Sequence, residues 1–157
     1  MKERDEFLVI GKNHPRVDVE EKVGGEYDFV GDMSLPGMLH AKVLRSPYAH
    51  ALVKRIDTRK AEKLPGVEAV LTHEDVSDKL VYRINAVSPS APNPSDARIL
   101  EKEVRYVGDR VAAVAATSTE IAEEALELIE VEYEELPAVF DIVEAMKPGA
   151  PPVHEVV

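Results

Sequence analysis

The sequence predicts an α+β domain in which one main helix packs on a mixed β-sheet. Several short segments alternate apolar and polar residues, as half-buried strands do, and a single capped segment has the apolar spacing of an amphipathic helix. The 157 residues fit one hydrophobic core, and 45% hydrophobic with 31% charged residues is a globular balance. We therefore expect residues 1–157 to form a single domain.

The N-terminal part carries few signals for regular structure. Residues 1–10 are highly charged at their start and are expected to form a flexible terminus. Residues 11–31 contain Pro15 and two adjacent glycines, which indicate a loop with at most one short strand at residues 27–30. Pro36 and Gly37 then fit the central pair of a type II turn, because proline fixes the first φ and glycine adopts the positive second one.

Three strands and short helical pieces are predicted in the next part of the chain. The strands are expected at residues 38–45, 51–56 and 67–71. A short helix is predicted at residues 59–64, where Asp57 or Thr58 caps its start and a Pro-Gly pair follows its end. A further helical turn is expected to begin at Thr72, whose hydroxyl can accept a free backbone N–H.

Residues 80–98 are expected to form a surface excursion, because three prolines and three serines lie between residues 88 and 95. Two strand-like runs follow, at residues 103–106 and 110–116. They flank Gly108 and Asp109, which predicts a tight hairpin. The second run is nearly all apolar, which favours a buried central strand.

The strongest local signal is a capping box that begins at Thr117 and ends at Glu120. It predicts the main helix at about residues 118–129, with an apolar stripe that includes Ile121 and Ala125. A strand is expected to follow at residues 130–134. The Pro-rich residues 147–157 are predicted to be a linker towards further domains outside these residues.

Charge and composition exclude several classes of function. The formal net charge of −11, from 30 acidic and 19 basic residues, opposes binding to nucleic acid and to anionic membranes. The chain has no cysteine, so it can form neither disulfides nor Cys-ligated iron–sulfur clusters. No apolar run reaches the length of a spanning helix or of a signal peptide, and we expect a cytoplasmic protein.

No motif points to a complete catalytic site. None of the five histidines forms a pair at metal-binding spacing, although His40 and His50 are expected near neighbouring strands and could converge. The chain lacks a nucleophile elbow and a phosphate-binding loop, and its acidic pairs fit a solvated surface. A polar and aromatic cluster at residues 45–50 fits a structural turn, a subunit contact or a ligand site, and these alternatives stay open.

Short motifs in a fixed order give the chain a family resemblance from residue 10 to residue 155. They include Pro-Arg-Val-Asp at 15–18, Leu-Pro-Gly-Met-Leu-His-Ala at 35–41, Leu-Arg-Ser-Pro-Tyr-Ala-His-Ala at 44–51, Val-Arg-Tyr-Val-Gly-Asp-Arg-Val-Ala at 104–112 and Leu-Pro-Ala-Val at 136–139. In this order they resemble the N-terminal α/β-hammerhead domain of molybdenum hydroxylase large subunits. That family includes xanthine dehydrogenase, aldehyde oxidase, carbon monoxide dehydrogenase and 4-hydroxybenzoyl-CoA reductase. Asp109-Arg110 departs from the Gln-Pro that is common in the family.

The resemblance implies an oxidoreductase that uses molybdopterin, iron–sulfur clusters and usually FAD, with its catalytic and pterin-binding segments outside this domain. No catalytic, cofactor-binding or metal-binding residue is therefore assigned to this chain, which is expected to be inactive alone. Its implied role is structural, in assembly with molybdenum-binding domains and an iron–sulfur subunit. Arg45, His50, Tyr106 and Gly108 are the candidate partner contacts. The alternative is a stand-alone protein-binding module with the same fold.

Overall fold

The computed structural model describes residues 9–77 and 97–154. Most of the predicted excursion, the first eight residues and the last three residues lie outside the described residues. Contacts divide the chain into two compact units, one up to Pro36 and one from Gly37 onwards. No helix in the described part is long and apolar enough to cross a membrane.

The first unit contains helix α1 (Val19–Gly24) and a 3-10 turn (Val30–Asp32). Asp18, just before α1, accepts hydrogen bonds from Arg16 and Lys22, and both partners hold the pKa of its carboxyl below its ordinary value. The loop predicted for this part is confirmed after α1, and residues 27–30 do not form the short strand that was its alternative. The backbone N–H of Phe29 donates to the Asp32 carboxylate (3.0 Å), so a local side-chain bond directs this segment into a turn.

The second unit contains six strands and two α-helices among its described residues. The strands are β1 (His40–Arg45), β2 (Ala51–Asp57), β3 (Val67–Thr72), β4 (Glu103–Val104), β5 (Arg110–Ala116) and β6 (Glu130–Glu135). They form two three-stranded sheets with antiparallel neighbours, in the orders β1–β5–β3 and β4–β2–β6. The predicted α+β class is confirmed, and the helices are α2 (Thr119–Glu127) and the short α3 (Ile142–Ala145).

The hairpin predicted around Gly108 and Asp109 is wrong. Strand β4 pairs with β2, whereas β5 pairs with β1 and β3, so the chain passes from one sheet to the other between these two strands. Sequence alternation marks a strand but does not name its neighbour. The prediction that β5 is a buried central strand is confirmed, since it lies between β1 and β3 with its residues buried or half-buried.

The helix predicted at residues 59–64 is also wrong, because this segment forms turns. The N–H of Glu62 donates to the carbonyl of Thr58, four residues earlier, as in an α-helix. The N–H of Leu64, however, donates to the carbonyl of Ala61, only three residues earlier, as in a tighter turn. Fewer than two turns are available before Pro65, and a helix this short does not offset its nucleation cost. The turn at Thr72 is closed by Asp75, whose carboxylate accepts the Thr72 N–H (2.8 Å) and hydroxyl (3.0 Å).

The main helix is confirmed but starts later and ends earlier than predicted. Its N-cap is Ser118, whose hydroxyl accepts the N–H of Ile121 (3.3 Å), so the predicted capping role of Thr117 is wrong. Thr117 donates its own N–H to the Gly66 carbonyl (2.8 Å), which ties it to the preceding turn. Small buried residues allow α2 to approach the β1–β5–β3 sheet closely. They include Ala61, Ala112, Ala116, Ala122 and Ala125.

Ser118→Ala is expected to lower the free energy of unfolding by about 1 kcal/mol, because it removes the acceptor for a helix N–H. Thr117→Ala is the matched control and is expected to have a smaller effect, since the interaction of Thr117 with Gly66 uses the backbone. Urea denaturation followed by circular dichroism measures both. A larger loss for Thr117→Ala than for Ser118→Ala contradicts the assignment of the N-cap.

Candidate functional site

A group of interacting ionisable side chains lies around β4, beside the start of β2 and the start of β5. It consists of His50, Glu101, Glu103, Arg105 and Asp109, and is termed the polar junction. The chain crosses from one sheet to the other at this point. Backbone N–H groups at the crossover donate hydrogen bonds to side-chain oxygens instead of to a partner strand.

Asp109 fixes the turn between β4 and β5. This residue is 2% exposed, and its carboxylate accepts the backbone N–H of Arg105 (3.0 Å) and of Arg110 (2.9 Å). The same turn is bonded to the residue after β1, because Ser46 N–H donates to the Asp109 carbonyl and Gly108 N–H donates to the Ser46 carbonyl, both at 2.8 Å. The turn is therefore held from both sides.

Arg105 places a buried positive charge between two glutamates. Its side chain is 9% exposed, and its guanidinium nitrogens lie 3.6 Å from a carboxylate oxygen of Glu101 and 3.6 Å from one of Glu103. Burial raises the pKa of the Glu101 carboxyl above its ordinary value. A hydrogen bond from the Arg98 N–H to this carboxylate (2.5 Å) and the charge of Arg105 act in the opposite direction.

His50 joins this charge network to the segment after β6. Its Nδ1 lies 2.7 Å from the Pro137 carbonyl oxygen, so Nδ1 is the protonated donor, because a carbonyl can only accept. Its Nε2 lies 3.1 Å from Glu103 Oε1. Glu103 thus stands between His50 and Arg105. His40 and His50 do not converge, since His40 lies on the other sheet and contacts the Thr119 hydroxyl at 3.2 Å.

A cleft of about 240 Å³ opens beside the polar junction. His50, Arg105 and Tyr106 line one part of it, and residues 137–140 and 151–153 line most of the rest. The charged groups at its edge already bond to other groups of the chain, and the remaining surface is mainly apolar. This arrangement favours packing over acid–base or nucleophilic chemistry.

The four candidate contact residues fall in one region, with different environments. Arg45 donates from Nη1 to the Gly108 carbonyl (2.8 Å), so these two candidates bind each other. His50 lies within the polar junction. Tyr106 is 53% exposed at the tip of the turn, next to the exposed Val107.

The sequence pattern does not identify the acidic members of the junction. Glu101, Glu103 and Asp109 have no distinctive spacing in a chain rich in acids. The available signal was the motif at residues 104–112, which contains Arg105 and Asp109. Within residues 9–77 and 97–154, no group of three or more His, Cys, Asp or Glu side chains could hold a metal ion. The buried acids bond to arginines and backbone N–H groups, so this set does not fit a molybdopterin site.

Comparisons with known proteins agree on one domain type. A family model described as the a/b hammerhead domain of aldehyde oxidase and xanthine dehydrogenase matches residues 24–137. The chain is 48% identical over 152 residues to a probable hypoxanthine oxidase of Escherichia coli O157:H7, a match that covers 97% of this chain and 16% of the relative. It is 47% identical over 149 residues to a probable xanthine dehydrogenase polypeptide of Bacillus subtilis (strain 168), covering 94% of this chain and 19% of the relative.

A solved structure shows the same similarity. The crystal structure of quinoline 2-oxidoreductase from Pseudomonas putida 86 matches with a TM-score of 0.78 and 38% sequence identity, over 87% of this chain and 18% of that one. The chain thus spans between 16% and 19% of the length of these three proteins. Their remaining length has no counterpart in these 157 residues.

Proposed function

The chain belongs to the aldehyde oxidase and xanthine dehydrogenase family through its a/b hammerhead domain, and from this membership we propose that it is a structural and assembly domain of a molybdopterin-dependent oxidoreductase. In this role it packs against the molybdenum-binding part of the enzyme and against an iron–sulfur subunit. Molybdopterin, iron–sulfur clusters and FAD are bound by those other parts. The chain itself contributes no reacting group.

One observation carries the proposal. The charged side chains that could have formed a catalytic site are instead bonded to one another and to the backbone in the polar junction. A partly buried network of this kind favours one arrangement of the two sheets, which is a structural role. The lengths of the relatives also support the proposed structural role, since the match to this chain covers only 16% and 19% of two of them.

The four candidate contacts have separable roles in this proposal. Tyr106 makes the direct contact, because half of its surface is exposed on a turn that is held by hydrogen bonds on both sides. A rigid aromatic side chain loses little conformational entropy on binding. Arg45 and Gly108 support the tip through their mutual hydrogen bond, and His50 positions the neighbouring segment.

A domain exchange tests this function. In the Bacillus subtilis relative, this chain replaces the segment to which it is 47% identical. The resulting chimera, termed the exchanged enzyme, is purified together with its other subunits. We expect it to assemble, to retain its molybdenum, and to oxidise xanthine with a dye acceptor within about tenfold of the parental rate, because roughly 1.4 kcal/mol of barrier corresponds to tenfold. Metal analysis and steady-state kinetics measure these quantities.

The parental enzyme is the positive control, and a version with the segment deleted is expected not to assemble. An exchanged protein that expresses well but loses its molybdenum contradicts the proposal. So does molybdenum binding or dye reduction by the isolated chain. Specific capture of an unrelated protein by the isolated chain, together with failure of the exchange, supports the stand-alone binding module instead.

A further inference from the structure

Residues 136–154 follow β6 and contact the polar junction near both of their ends, and they are termed the C-terminal arm. The arm contains α3 and a turn in which the Ala150 N–H donates to the Lys147 carbonyl (3.2 Å). Asp141 caps α3 by accepting the N–H groups of Val143 (2.8 Å) and Glu144 (2.9 Å). The arm therefore has its own internal order.

Both ends of the arm are anchored to the polar junction. At its start, the Leu136 N–H donates to the His50 carbonyl (2.9 Å), and His50 Nδ1 donates to the Pro137 carbonyl (2.7 Å). At its end, Arg105 Nε donates to the Val153 carbonyl (3.0 Å). The partners of these side-chain bonds are 87 positions apart at the start of the arm and 48 at its end, so tertiary structure alone creates the anchors.

Glu103 joins the two anchors. One of its carboxylate oxygens lies 3.1 Å from His50 Nε2, and the other lies 3.6 Å from Arg105 Nη2. Its backbone carbonyl also accepts a hydrogen bond from Arg105 Nη1 (2.9 Å). Because one carboxylate contacts both side chains, its replacement is expected to loosen both ends of the arm at once.

Between its anchors the arm presents apolar side chains to solvent. Phe140, Ile142, Val143 and Met146 are between 66% and 86% exposed and are termed the arm face. The charged residues among them are engaged within the arm, since Asp141 caps α3 and Glu144 pairs with Lys147. A group of large, exposed apolar side chains in one short segment is typical of a surface that another protein part covers.

We propose that the C-terminal arm is a preorganised docking element, fixed by Glu103, and that the arm face packs against an apolar surface of the remaining part of the large subunit. This inference rests on the proposed function. The remaining part of the subunit is the favoured occupant because the matched segment makes up only 16% and 19% of two relatives. The contact is apolar rather than ionic, because the acids beside the arm face, Asp141 and Glu144, already have partners within the arm.

The exchanged enzyme with the double substitution Phe140→Ser and Ile142→Ser tests the docking. We expect the amount of assembled enzyme that can be purified to fall by about tenfold or more, because two large apolar contacts are lost at the interface. Any enzyme that still assembles is expected to unfold at a lower temperature than the unsubstituted exchanged enzyme. The isolated chain should keep its own stability, since both side chains are exposed in it. Val23→Ser is the matched control, because Val23 is 84% exposed on α1, outside the arm.

Glu103→Gln tests the anchoring in the isolated chain. Amide hydrogen exchange of residues 143–150 is expected to accelerate by about tenfold, because that factor corresponds to roughly 1.4 kcal/mol of lost anchoring. Glu132→Gln is the control, since Glu132 lies exposed on β6 and takes no part in the junction. Equal exchange in both variants contradicts the role of Glu103.

The outcomes separate the two proposals. Failure of the unsubstituted exchange to assemble overturns both the proposed function and the docking inference. Successful assembly with no effect of the arm-face substitutions overturns the docking inference alone. Concentration-dependent dimerisation of the isolated chain that Phe140→Ser with Ile142→Ser abolishes would assign the face to a second copy, and would also overturn it.

Discussion

Asp109→Ala is expected to lower the free energy of unfolding by about 3 kcal/mol, since hydrogen bonds to a charged acceptor contribute roughly 1.5–3 kcal/mol each and two are lost. The substitution leaves the N–H groups of Arg105 and Arg110 without their carboxylate acceptor, at a site that is 2% exposed. It also removes the group that holds the crossover turn. Urea denaturation followed by far-UV circular dichroism measures the loss.

Asp141→Ala is the matched control for this prediction. Asp141 also accepts two backbone N–H groups, at 2.8 and 2.9 Å, but it is exposed and water can replace it. We expect a loss of about 1 kcal/mol or less, confined to the C-terminal arm. Asp109→Asn keeps the shape of the side chain and is expected to be less harmful than Asp109→Ala. Equal losses for Asp109→Ala and Asp141→Ala would falsify the assignment of Asp109 as a buried structural acceptor.

Gly66→Ala is expected to destabilise the chain by about 3 kcal/mol, as the sum of backbone strain (roughly 1–3 kcal/mol) and overpacking (roughly 1–3 kcal/mol). Gly66 has a φ of +94°, which side chains with a Cβ rarely adopt. An added Cβ would lie 2.8 Å from Ile121 Cδ1 and 2.8 Å from Thr117 Oγ1. The side chains of Ile121 and Thr117 must therefore move or change rotamer to admit the added Cβ, in addition to the backbone strain.

Gly108→Ala separates the two contributions. Gly108 has a similar φ of +97°, but no atom lies within 4 Å of the position of an added Cβ. We expect only the strain component, about 1–2 kcal/mol. The difference in unfolding free energy between the two variants reports how tightly α2 packs on this turn. A Gly108→Ala variant as unstable as Gly66→Ala contradicts the predicted contribution of packing.

Local sequence patterns predict those features that adjacent residues decide among themselves. The alternation in β1, β2, β3 and β6 and the apolar run of β5 placed these strands to within two residues. The positive φ of Gly37 (76°) agrees with the predicted turn at Pro36-Gly37. The family resemblance is confirmed by the match to residues 24–137. The single-domain organisation and the cytoplasmic location stay predictions.

The errors arose where two local signals compete or where distant residues decide. Thr117 and Ser118 are both good caps, and the bond from Thr117 N–H to the Gly66 carbonyl, far away in sequence, selects Ser118. The run around Gly108 has the composition of a hairpin, yet β4 finds its partner in β2. A capping or turn motif carries no information about which distant strand is adjacent.

By itself the sequence determined the α+β class, the family, most strand positions and the existence of one amphipathic helix, because these depend on side-chain periodicity and on short motifs that adjacent residues form. Only the tertiary structure decided that the strands divide into two sheets and that His50, Glu103 and Arg105 meet. It also decided that residues 136–154 contact this meeting point near both of their ends. The physical reason is that burial and hydrogen bonding between groups 48 to 87 positions apart become favourable only once both sheets have formed.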